Sequence, residues 1–239
     1  MSEEKSLSGR VAVVTGASRG IGRAVALEFA SQGAHIIALS RTTGALEELD
    51  DEINKLGGSA TLVPLDLKDF PAIDRLGAAI MERWQKLDIL VANAGVLGDL
   101  TPVAHIRPKV WDELLNINLT ANWRLIRSFD PLLRLASAGR AIFVTSHAAA
   151  VNRPYWGGYA ITKAALEKMV LIYAEEVKSS ALKVNLLDPG PTRTGMRNKA
   201  MPGEDPETVK PPEALASLFL SLASPDCTRH GEIVRYKAD

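Results

Sequence analysis

Short apolar runs rich in β-branched residues recur along this chain, and longer amphipathic stretches separate them. The runs predict strands at residues 11–14, 35–39, 60–65, 89–92, 141–144, 183–187 and 232–236. The amphipathic stretches predict helices at residues 21–32, 44–56, 71–85, 109–127, 157–178 and 212–221. Strands and helices therefore alternate along the chain.

The strand runs are continuously apolar, which is typical of strands that are covered on both faces. The segments between them are long enough for right-handed helical crossovers between parallel strands. The sequence therefore predicts an α/β fold, a Rossmann-type doubly wound parallel sheet of about seven strands with helices on both faces. No repeat or linker divides residues 1–239, so we expect a single domain.

Composition and charge narrow the class of partner. The chain has 28 basic and 28 acidic residues, whereas binding to phosphate-rich partners needs an excess of Lys and Arg on one face. We therefore expect neither nucleic acid nor a membrane as partner, and no apolar stretch reaches the ~18 residues of a membrane span. The start lacks the pattern of a secretory signal and Cys227 is the single cysteine, so a cytoplasmic location is expected.

The first strand run leads into a glycine-rich turn and then into a helix. The turn reads Thr15-Gly16-Ala17-Ser18-Arg19-Gly20-Ile21-Gly22. Gly16 would allow a tight turn, Gly20 the close approach of a pyrophosphate, and Gly22 the packing of helix on strand. The free N–H groups where the helix starts, at Ile21, would face the anion. A glycine turn alone can also be purely structural, so its meaning depends on the rest of the chain.

Two other motifs overlap this turn. A P-loop would need Gly-Lys-Ser or Gly-Lys-Thr at its end, which is absent. Residues 16–20 also match the Gly-x-Ser-x-Gly elbow of α/β-hydrolases, with Ser18 in the nucleophile position. That elbow takes an oxyanion donor from a loop after an earlier strand, and no strand is predicted before the one at residues 11–14 that leads into Gly16. A serine hydrolase is therefore the remote alternative.

The end of the second predicted strand bears on the cofactor. An NAD site places Asp or Glu about 20 residues after the glycine turn, whereas an Arg there accommodates the 2′-phosphate of NADP. Ser40 and Arg41 occupy these positions, and Arg19 of the turn can converge on the same phosphate. The sequence favours NADP(H) over NAD(H), and the alternative is that both arginines are only solvated.

A tyrosine and a lysine stand four residues apart on the predicted helix at 157–178. The spacing of Tyr159 and Lys163 puts both side chains on one helix face, with Cβ atoms ~6 Å apart. Ser146 follows the fifth predicted strand, and ligands of open α/β sheets bind outside the carboxyl ends of the strands. The three residues together predict a catalytic site at that edge.

Six motifs in this order and at about these intervals resemble the short-chain dehydrogenases/reductases. They are Thr15-Gly-x-x-x-Gly20-x-Gly22, Asn93-Ala94-Gly95, Asn118, Ser146, Tyr159-x-x-x-Lys163 and Pro189-Gly190. The finer pattern at residues 97–99, 192–197 and 204–206 is similar to the YciK-like bacterial branch, whose members are described generally as oxidoreductases. The resemblance implies an NAD(P)-dependent enzyme that interconverts a carbonyl and an alcohol.

The resemblance also implies roles for single residues. Tyr159 would be the acid/base, Ser146 would position the substrate oxygen, Lys163 would hold the nicotinamide ribose and Asn118 would help a water to relay protons. A free tyrosine has a pKa of ~10, so acid/base chemistry near neutral pH requires a lower one. We expect the Lys163 ammonium, together with the charge of an oxidised nicotinamide, to lower the pKa of Tyr159.

Further cofactor contacts follow from the same resemblance. Asn93, Ala94 and Gly95 would border the adenine side, and Asp66 and Leu67 would meet the adenine ring, although Asp66 fits a helix N-cap equally well. After Pro189 and Gly190, the side chains of Thr192 and Thr194 would contact the carboxamide. The histidines at 35, 105, 147 and 230 show no metal-ligand spacing, so no metal is expected.

The substrate side is less defined. Residues 96–100 and 147–156 would frame a pocket under a lid at residues 191–211, an irregular stretch rich in Pro, Gly and charged residues. Arg193, Arg197 and Lys199 could select an anionic carbonyl substrate or could simply be solvated. Asp188 stands where many relatives carry Asn or an apolar residue, and the usual Asp-Gly-Gly ending is absent, so the usual C-terminal pocket wall and tetramer interface are not carried over.

Two expectations concern partners and function class. The helix at 157–178 has more apolar positions than a single buried stripe needs, for example Leu166, Met169, Val170 and Tyr173. The resemblance implies that this helix and the one at 109–127 pair across subunits in a homodimer or homotetramer. Burial of the same side chains against the sheet is the alternative. A dinucleotide-sensing binding protein with little catalysis is the second function class, which the intact set of Asn118, Ser146, Tyr159 and Lys163 disfavours.

Overall fold

A seven-stranded, entirely parallel sheet forms the centre of the protein. The computed structural model describes residues 5–237 of the chain. The strands are β1 Val11–Thr15, β2 His35–Ser40, β3 Ser59–Pro64, β4 Ile89–Ala92, β5 Arg140–Val144, β6 Lys183–Asp188 and β7 Ile233–Arg235. Each predicted strand is present, which confirms the α/β class and the parallel sheet.

The strand order is β3-β2-β1-β4-β5-β6-β7, so the order reverses between β1 and β4. Val13 pairs with Ile37 of β2 on one side and with Leu90 of β4 on the other. Crossovers that leave β1 in opposite directions open a crevice at the carboxyl ends of β1 and β4. The glycine turn and residues 93–95 follow these two strands directly.

Helices cover both faces of the sheet. They are α1 Gly20–Ser31, α2 Thr43–Lys55, α3 Phe70–Trp84, α4 Pro108–Leu115, α5 Ala121–Leu135, α6 Gly157–Val177, α7 Gly195–Ala200 and α8 Ala216–Ala223. None of the helices within residues 5–237 has the length and apolar character to cross a membrane.

Alternate strand residues enter opposite layers of the core. Val13 and Leu90 pack with Phe129 of α5, in the layer that α3, α5 and α6 cover. Ala12 and Val91 lie in the layer that α1, α2 and α8 cover. Because both layers are apolar, the strands read as continuous apolar runs in the sequence.

The helix expected at residues 109–127 is longer and less regular than predicted. It comprises α4, a π-helical turn at Asn116–Thr120 and α5, which passes through Pro131 and ends at Leu135. Pro131 is exposed, and the buried stripe continues past it through Leu132 and Leu133. Packing of that stripe therefore overrides the tendency of proline to end a helix.

Two further boundaries differ from the prediction. The stretch at 191–211, expected to be irregular, contains α7 and a short 3₁₀ turn at Pro206–Thr208. Thr194 begins α7 by accepting a hydrogen bond from the Arg197 N–H at 3.2 Å. The segment predicted at 212–221 starts as a 3₁₀ turn, and the α-helical part begins at Ala216.

A buried arginine joins three segments at the opposite, amino edge of the sheet. The Arg10 guanidinium donates hydrogen bonds to the carbonyl oxygens of Ala223 at 2.6 Å and Asp88 at 3.3 Å, and also to that of Ala138. Its Nε lies 4.0 Å from the Asp88 carboxylate, and both side chains are less than a tenth exposed. Arg10 thus links the starts of β1 and β4 to the ends of α5 and α8.

We predict that Arg10→Met lowers the free energy of unfolding by about 3 kcal/mol, because it removes the hydrogen bonds to the Ala223 and Ala138 carbonyls and the buried ion pair with Asp88. Urea denaturation measures the change. Arg75→Met is the matched control, since Arg75 is 69% exposed and pairs with Asp69 at 3.6 Å on the surface; it should change stability by no more than about 0.5 kcal/mol. Equal effects of the two substitutions would contradict the structural role of Arg10.

Candidate active site

The glycine turn has the backbone geometry that its sequence predicts. Gly16 and Gly20 have φ angles of +67° and +55°, a region that favours glycine. A Cβ atom on Gly22 would lie 2.3 Å from the Gly16 carbonyl oxygen and 2.6 Å from Asn93 Nδ2. Arg19 precedes α1 with no side-chain cap, so the first N–H groups of the helix are available to an anion.

Asn93 and Ala94 tie the end of β4 to the glycine turn. The Thr15 hydroxyl accepts hydrogen bonds from the N–H groups of Asn93 at 2.9 Å and Ala94 at 3.0 Å. The Asn93 side chain donates to the Thr15 carbonyl at 3.0 Å. These contacts fix the two walls of the crevice at their closest approach.

The ends of β2 and β3 form one side of the crevice. Ser40 donates to the Ser18 hydroxyl at 2.7 Å, and no histidine within residues 5–237 is hydrogen-bonded to Ser18. Asp66 accepts from the Lys68 N–H at 3.0 Å within a turn. The N-cap of α3 is Asp69, which accepts from Ala72 at 3.0 Å, so the N-cap role considered for Asp66 is wrong.

Ser146, Tyr159 and Lys163 lie together beside the end of β5. Ser146 follows the strand, and Tyr159 and Lys163 project from the first two turns of α6. The Lys163 Nζ lies 5.8 Å from the centre of the Tyr159 ring and donates a hydrogen bond to the Val144 carbonyl at 2.7 Å. The exposed fraction is 8% for Tyr159 and 3% for Lys163. The structure therefore brings the predicted constellation together.

Burial sets the pKa values of this pair. It raises the pKa of Tyr159 to about 12, although the neighbouring Ser146 hydroxyl acts in the lowering direction, and the Asp188 carboxylate adds to the increase. Burial also lowers the pKa of Lys163 to about 8, against the opposite effect of Glu167. The chain's own groups therefore leave the pKa of Tyr159 raised, because desolvation of the phenolate dominates. The lowering expected from Lys163 together with an oxidised nicotinamide stays a prediction.

Asn118 lies in the π-helical turn and is completely buried. Its side chain accepts from the Val96 N–H at 2.9 Å and donates to the Val96 carbonyl at 2.9 Å and to the Thr162 hydroxyl at 3.0 Å. A Cβ on Gly95 would lie 3.2 Å from Asn118 Oδ1 and 3.6 Å from Lys163 Nζ. Asn118 therefore holds the segment after β4, at Gly95 and Val96, in place beside Lys163.

The loop after β6 closes the crevice from the other side. The Gly190 N–H donates to the Asp188 carboxylate at 3.0 Å, and Gly190 has a φ of +61°. The buried Thr192 hydroxyl donates to the Gly190 carbonyl at 3.2 Å. Thr194 reaches the glycine turn, because a Cβ on Gly20 would lie 3.3 Å from its Cγ2.

One cavity of about 1160 Å³ joins these parts. It is lined by nearly all of the predicted site residues, namely Gly16, Ser18, Arg19, Gly20, Ile21, Arg41, Asp66, Leu67, Asn93, Ala94, Gly95, Ser146, Tyr159, Lys163, Pro189, Gly190, Thr192 and Thr194. Gly22 and Asn118 lie behind the wall and support it. An extended dinucleotide fits this cavity, because Gly22 keeps the turn tight and the first N–H groups of α1 face it.

Comparison with known proteins agrees with this geometry. Residues 10–205 match the short chain dehydrogenase family. The chain belongs to this family of oxidoreductases. It is 36% identical over 226 residues to the oxidoreductase YciK of Escherichia coli K12, covering 93% of this chain and 89% of YciK. The short-chain dehydrogenase resemblance and its YciK-like branch are thereby confirmed.

Two solved structures are also similar to this short-chain dehydrogenase. One is a short chain dehydrogenase of Shigella flexneri 2a in complex with NADP, with a TM-score of 0.93, 34% identity and coverage of 98% of this chain and 99% of that one. The other, from Escherichia coli CFT073 in complex with NADPH, has a TM-score of 0.91 and 34% identity and covers 98% of each chain.

The charges of the stretch at 191–211 are paired within the dehydrogenase itself. Arg193 contacts Glu207, and Arg197 binds both oxygens of Glu204 at 2.5 and 2.6 Å. Lys199 donates to the Gly98 carbonyl at 3.1 Å. Arg193 and Arg197 are therefore engaged by carboxylates of the same segment, whereas Lys199 is exposed, as the solvated alternative predicts.

Two further findings concern metal binding and the C-terminal residues that line the cavity. Across residues 5–237 no cluster of three His, Cys, Asp or Glu side chains could hold a metal. Arg235 and Tyr236 line the cavity, and sequence reasoning missed them. Arg235 Nε lies 3.8 Å from Asp188, and the Tyr236 N–H donates to the Asp188 carbonyl at 3.0 Å. The unusual aspartate before Pro189-Gly190 is the sequence signal that could have indicated a cationic partner such as Arg235.

We predict that Gly22→Ala abolishes measurable binding of NADPH, because the added methyl group would overlap the Gly16 carbonyl and push the turn apart. Isothermal titration calorimetry measures the affinity. Gly44→Ala is the matched control, since a Cβ at Gly44 meets no atom within 4 Å. It should leave binding unchanged, and an unaffected Gly22→Ala variant would show that close packing at this turn is not required.

Proposed function

We propose that this short-chain dehydrogenase interconverts a carbonyl and an alcohol with NADP(H), and that Tyr159 is its acid/base. The observation that carries the proposal is a buried phenol and a buried ammonium, 5.8 Å apart from ring centre to Nζ, in the same cavity as a dinucleotide-type glycine turn. A purely structural pair would not need to line that cavity.

The chain's own residues supply positions for each part of the reaction. A bound nicotinamide would supply or accept the hydride at the reacting carbon. Ser146 and Tyr159 line the same part of the cavity, so a substrate oxygen placed between the two hydroxyls would accept hydrogen bonds from both. During reduction, Tyr159 would donate its proton to the developing alkoxide, and during oxidation it would take the proton back.

Lys163 would have two roles. It would bind the ribose next to the nicotinamide, and its charge would favour the Tyr159 phenolate. Coulomb's law gives about 3 kcal/mol for unit charges at this spacing with an effective dielectric of 20. Burial of the phenol opposes this effect, so additional positive charge near the ring would be needed for Tyr159 to act as a base near neutral pH. We propose that Asn118 and Lys163, which flank Gly95, lead the proton relay to water.

We predict that Tyr159→Phe lowers kcat by roughly a thousandfold, since general acid/base catalysis contributes about 10²–10⁴, while the Kd for NADPH stays unchanged. NADPH oxidation with a panel of ketones, aldehydes and quinones measures the first quantity, and calorimetry the second. Tyr155→Phe is the matched control, because Tyr155 is 59% exposed and should keep full activity. Tight NADPH binding without any turnover in the wild type would instead support a dinucleotide sensor.

The cofactor preference is a separate proposal. Arg19 and Arg41 line the adenine side of the cavity, and neither has a carboxylate partner within 4.0 Å among the described residues. The two similar structures in complex with NADP and NADPH support the same cofactor here. We propose that both arginines bind the 2′-phosphate, as the fork geometry of a guanidinium suits a phosphate.

We predict that Arg41→Gln weakens NADPH binding roughly tenfold, as expected for the loss of one charge-assisted contact, and leaves NADH binding unchanged. Titration of the variant with each cofactor gives the two Kd values. Arg23→Gln serves as the matched control, because Arg23 lies on α1 but pairs with Glu52. A parallel loss of affinity for both cofactors would argue against recognition of the 2′-phosphate.

The oligomeric state of the protein, its cellular location and a lid function of residues 191–211 also stay proposals. Leu166, Val170 and Tyr173 pack into the protein's own core, so these residues are no argument for an interface. Trp123, Ile161 and Ile172 are 44%, 43% and 51% exposed on α5 and α6, and we propose that they pair two subunits. Light scattering would return the mass of a dimer or tetramer, whereas a monomer would refute the pairing. We also propose that the substrate is a small molecule, that the protein is located in the cytoplasm and that residues 191–211 form a lid.

A further inference from the structure

Ion pairing separates the arginines that line the cavity into two groups. Arg193, Arg197 and Arg235 each face a carboxylate of the chain. Arg19, Arg41 and Arg153 have no carboxylate within 4.0 Å and no side-chain hydrogen bond to any of residues 5–237. Arg19 and Arg41 lie at the adenine end, whereas Arg153 lies at the opposite end with His147 and Trp156. The substrate end therefore presents an arginine whose charge is not used by the fold.

Arg153 is held in position by an aromatic side chain. Its guanidinium carbon lies 5.1 Å from the centre of the Trp156 ring, within the range of a cation–π contact. Trp156 in turn packs edge-on against Tyr159, with ring centres 6.3 Å apart and planes at 68°. The free cation is thus connected to the proposed acid/base through one aromatic ring.

The backbone around Arg153 is also constrained. The Trp156 N–H donates to the Arg153 carbonyl at 3.3 Å, and the Thr101 N–H donates to the Tyr155 carbonyl at 3.0 Å. Tyr155 has a φ of +72°, a conformation that is unusual and costly for a bulky residue. The segment is therefore fixed at both its own turn and the neighbouring loop, which keeps Arg153 at the mouth of the cavity.

An apolar surface lies between Arg153 and the reacting end of the cavity. Leu97, Ala148 and Tyr159 form a small buried cluster, against which Trp156 and Met196 pack. A ligand that reaches from Tyr159 to Arg153 would place an apolar body on this cluster and an anionic group at the rim. A neutral polar tail would leave the guanidinium without a charged partner.

We propose that the substrate is a carbonyl or alcohol compound that carries a carboxylate, and that Arg153 binds this carboxylate. The inference rests on the proposed function, because it concerns the substrate of the same site. Arg193 and Arg197 are already paired with Glu207 and Glu204. We therefore assign the selection of an anionic substrate to Arg153. A bidentate guanidinium–carboxylate pair provides both orientation and affinity.

The test compares two ketones of equal shape, 4-acetylbenzoate and 4-acetylbenzamide, which differ in charge. Each is titrated by calorimetry into the protein saturated with NADP⁺, where no hydride is available and binding is measured without turnover. We expect the wild type to bind the carboxylate roughly tenfold more tightly than the amide. Arg153→Gln should remove this preference and leave the affinity for the amide unchanged, and Arg153→Lys should restore part of it.

Arg83→Gln is the matched control, because Arg83 also lies over a tryptophan, Trp84, at 4.6 Å but does not line the cavity. It should keep the full preference. Equal affinities for the two ketones in the wild type, no detectable binding of the carboxylate, or a preference that survives Arg153→Gln would each overturn the assignment. Turnover with NADPH is measured separately, so a preference for the carboxylate without NADPH oxidation would refute the proposed function and retain the anion site.

Discussion

A buried ammonium with one main-chain acceptor organises the candidate active site. Burial of an unpaired charge is very unfavourable, and the Lys163 Nζ donates only to the Val144 carbonyl among the described residues. That bond ties α6 to the end of β5 and leaves the other N–H groups directed at the cavity. Glu167, one turn further along α6 and hydrogen-bonded to Thr145 at 2.7 Å, stabilises the charge from behind. Gly95 lies beside both Lys163 and Asn118, and a Cβ there would come closest to Asn118 Oδ1, at 3.2 Å.

The other charges follow a simple division. Cations that the fold needs are paired with carboxylates or carbonyls, as Arg10 is at the amino edge of the sheet and Arg197 is in the segment over the cavity. Among the arginines that line the cavity, Arg19, Arg41 and Arg153 have no carboxylate within 4.0 Å among residues 5–237. An unpaired guanidinium contributes little to stability but attracts anions strongly within a concave surface. This arrangement is the basis of the two proposals that the cofactor carries a 2′-phosphate and that the substrate carries a carboxylate.

The sequence was sufficient for the sheet, since buried parallel strands must be continuously apolar, and for the relative placement of Ser146, Tyr159 and Lys163, since helix periodicity and strand ends determine it. The sequence was insufficient for properties that depend on how deeply a side chain is buried or on which residues it contacts in the folded protein. The direction of the Tyr159 pKa depends on burial, which no spacing reveals. Local turns decide that Arg197 pairs with Glu204. They also decide that Asp69, rather than Asp66, is the N-cap of α3. The course of α5 through Pro131 depends on packing of Leu132 and Leu133.

Asp188 shows how the end of the chain can influence the chemistry. Its buried carboxylate accepts from Gly190 and faces Arg235, so one residue joins the loop after β6 to the last strand. Burial raises the pKa of Tyr159, and the same carboxylate adds to the increase. Because Arg235 is more than half exposed, it screens Asp188 only weakly. Burial remains the main cause of the raised pKa of Tyr159, and Asp188 adds to it. Strand β7 bears on the site because Arg235 and Tyr236 contact Asp188.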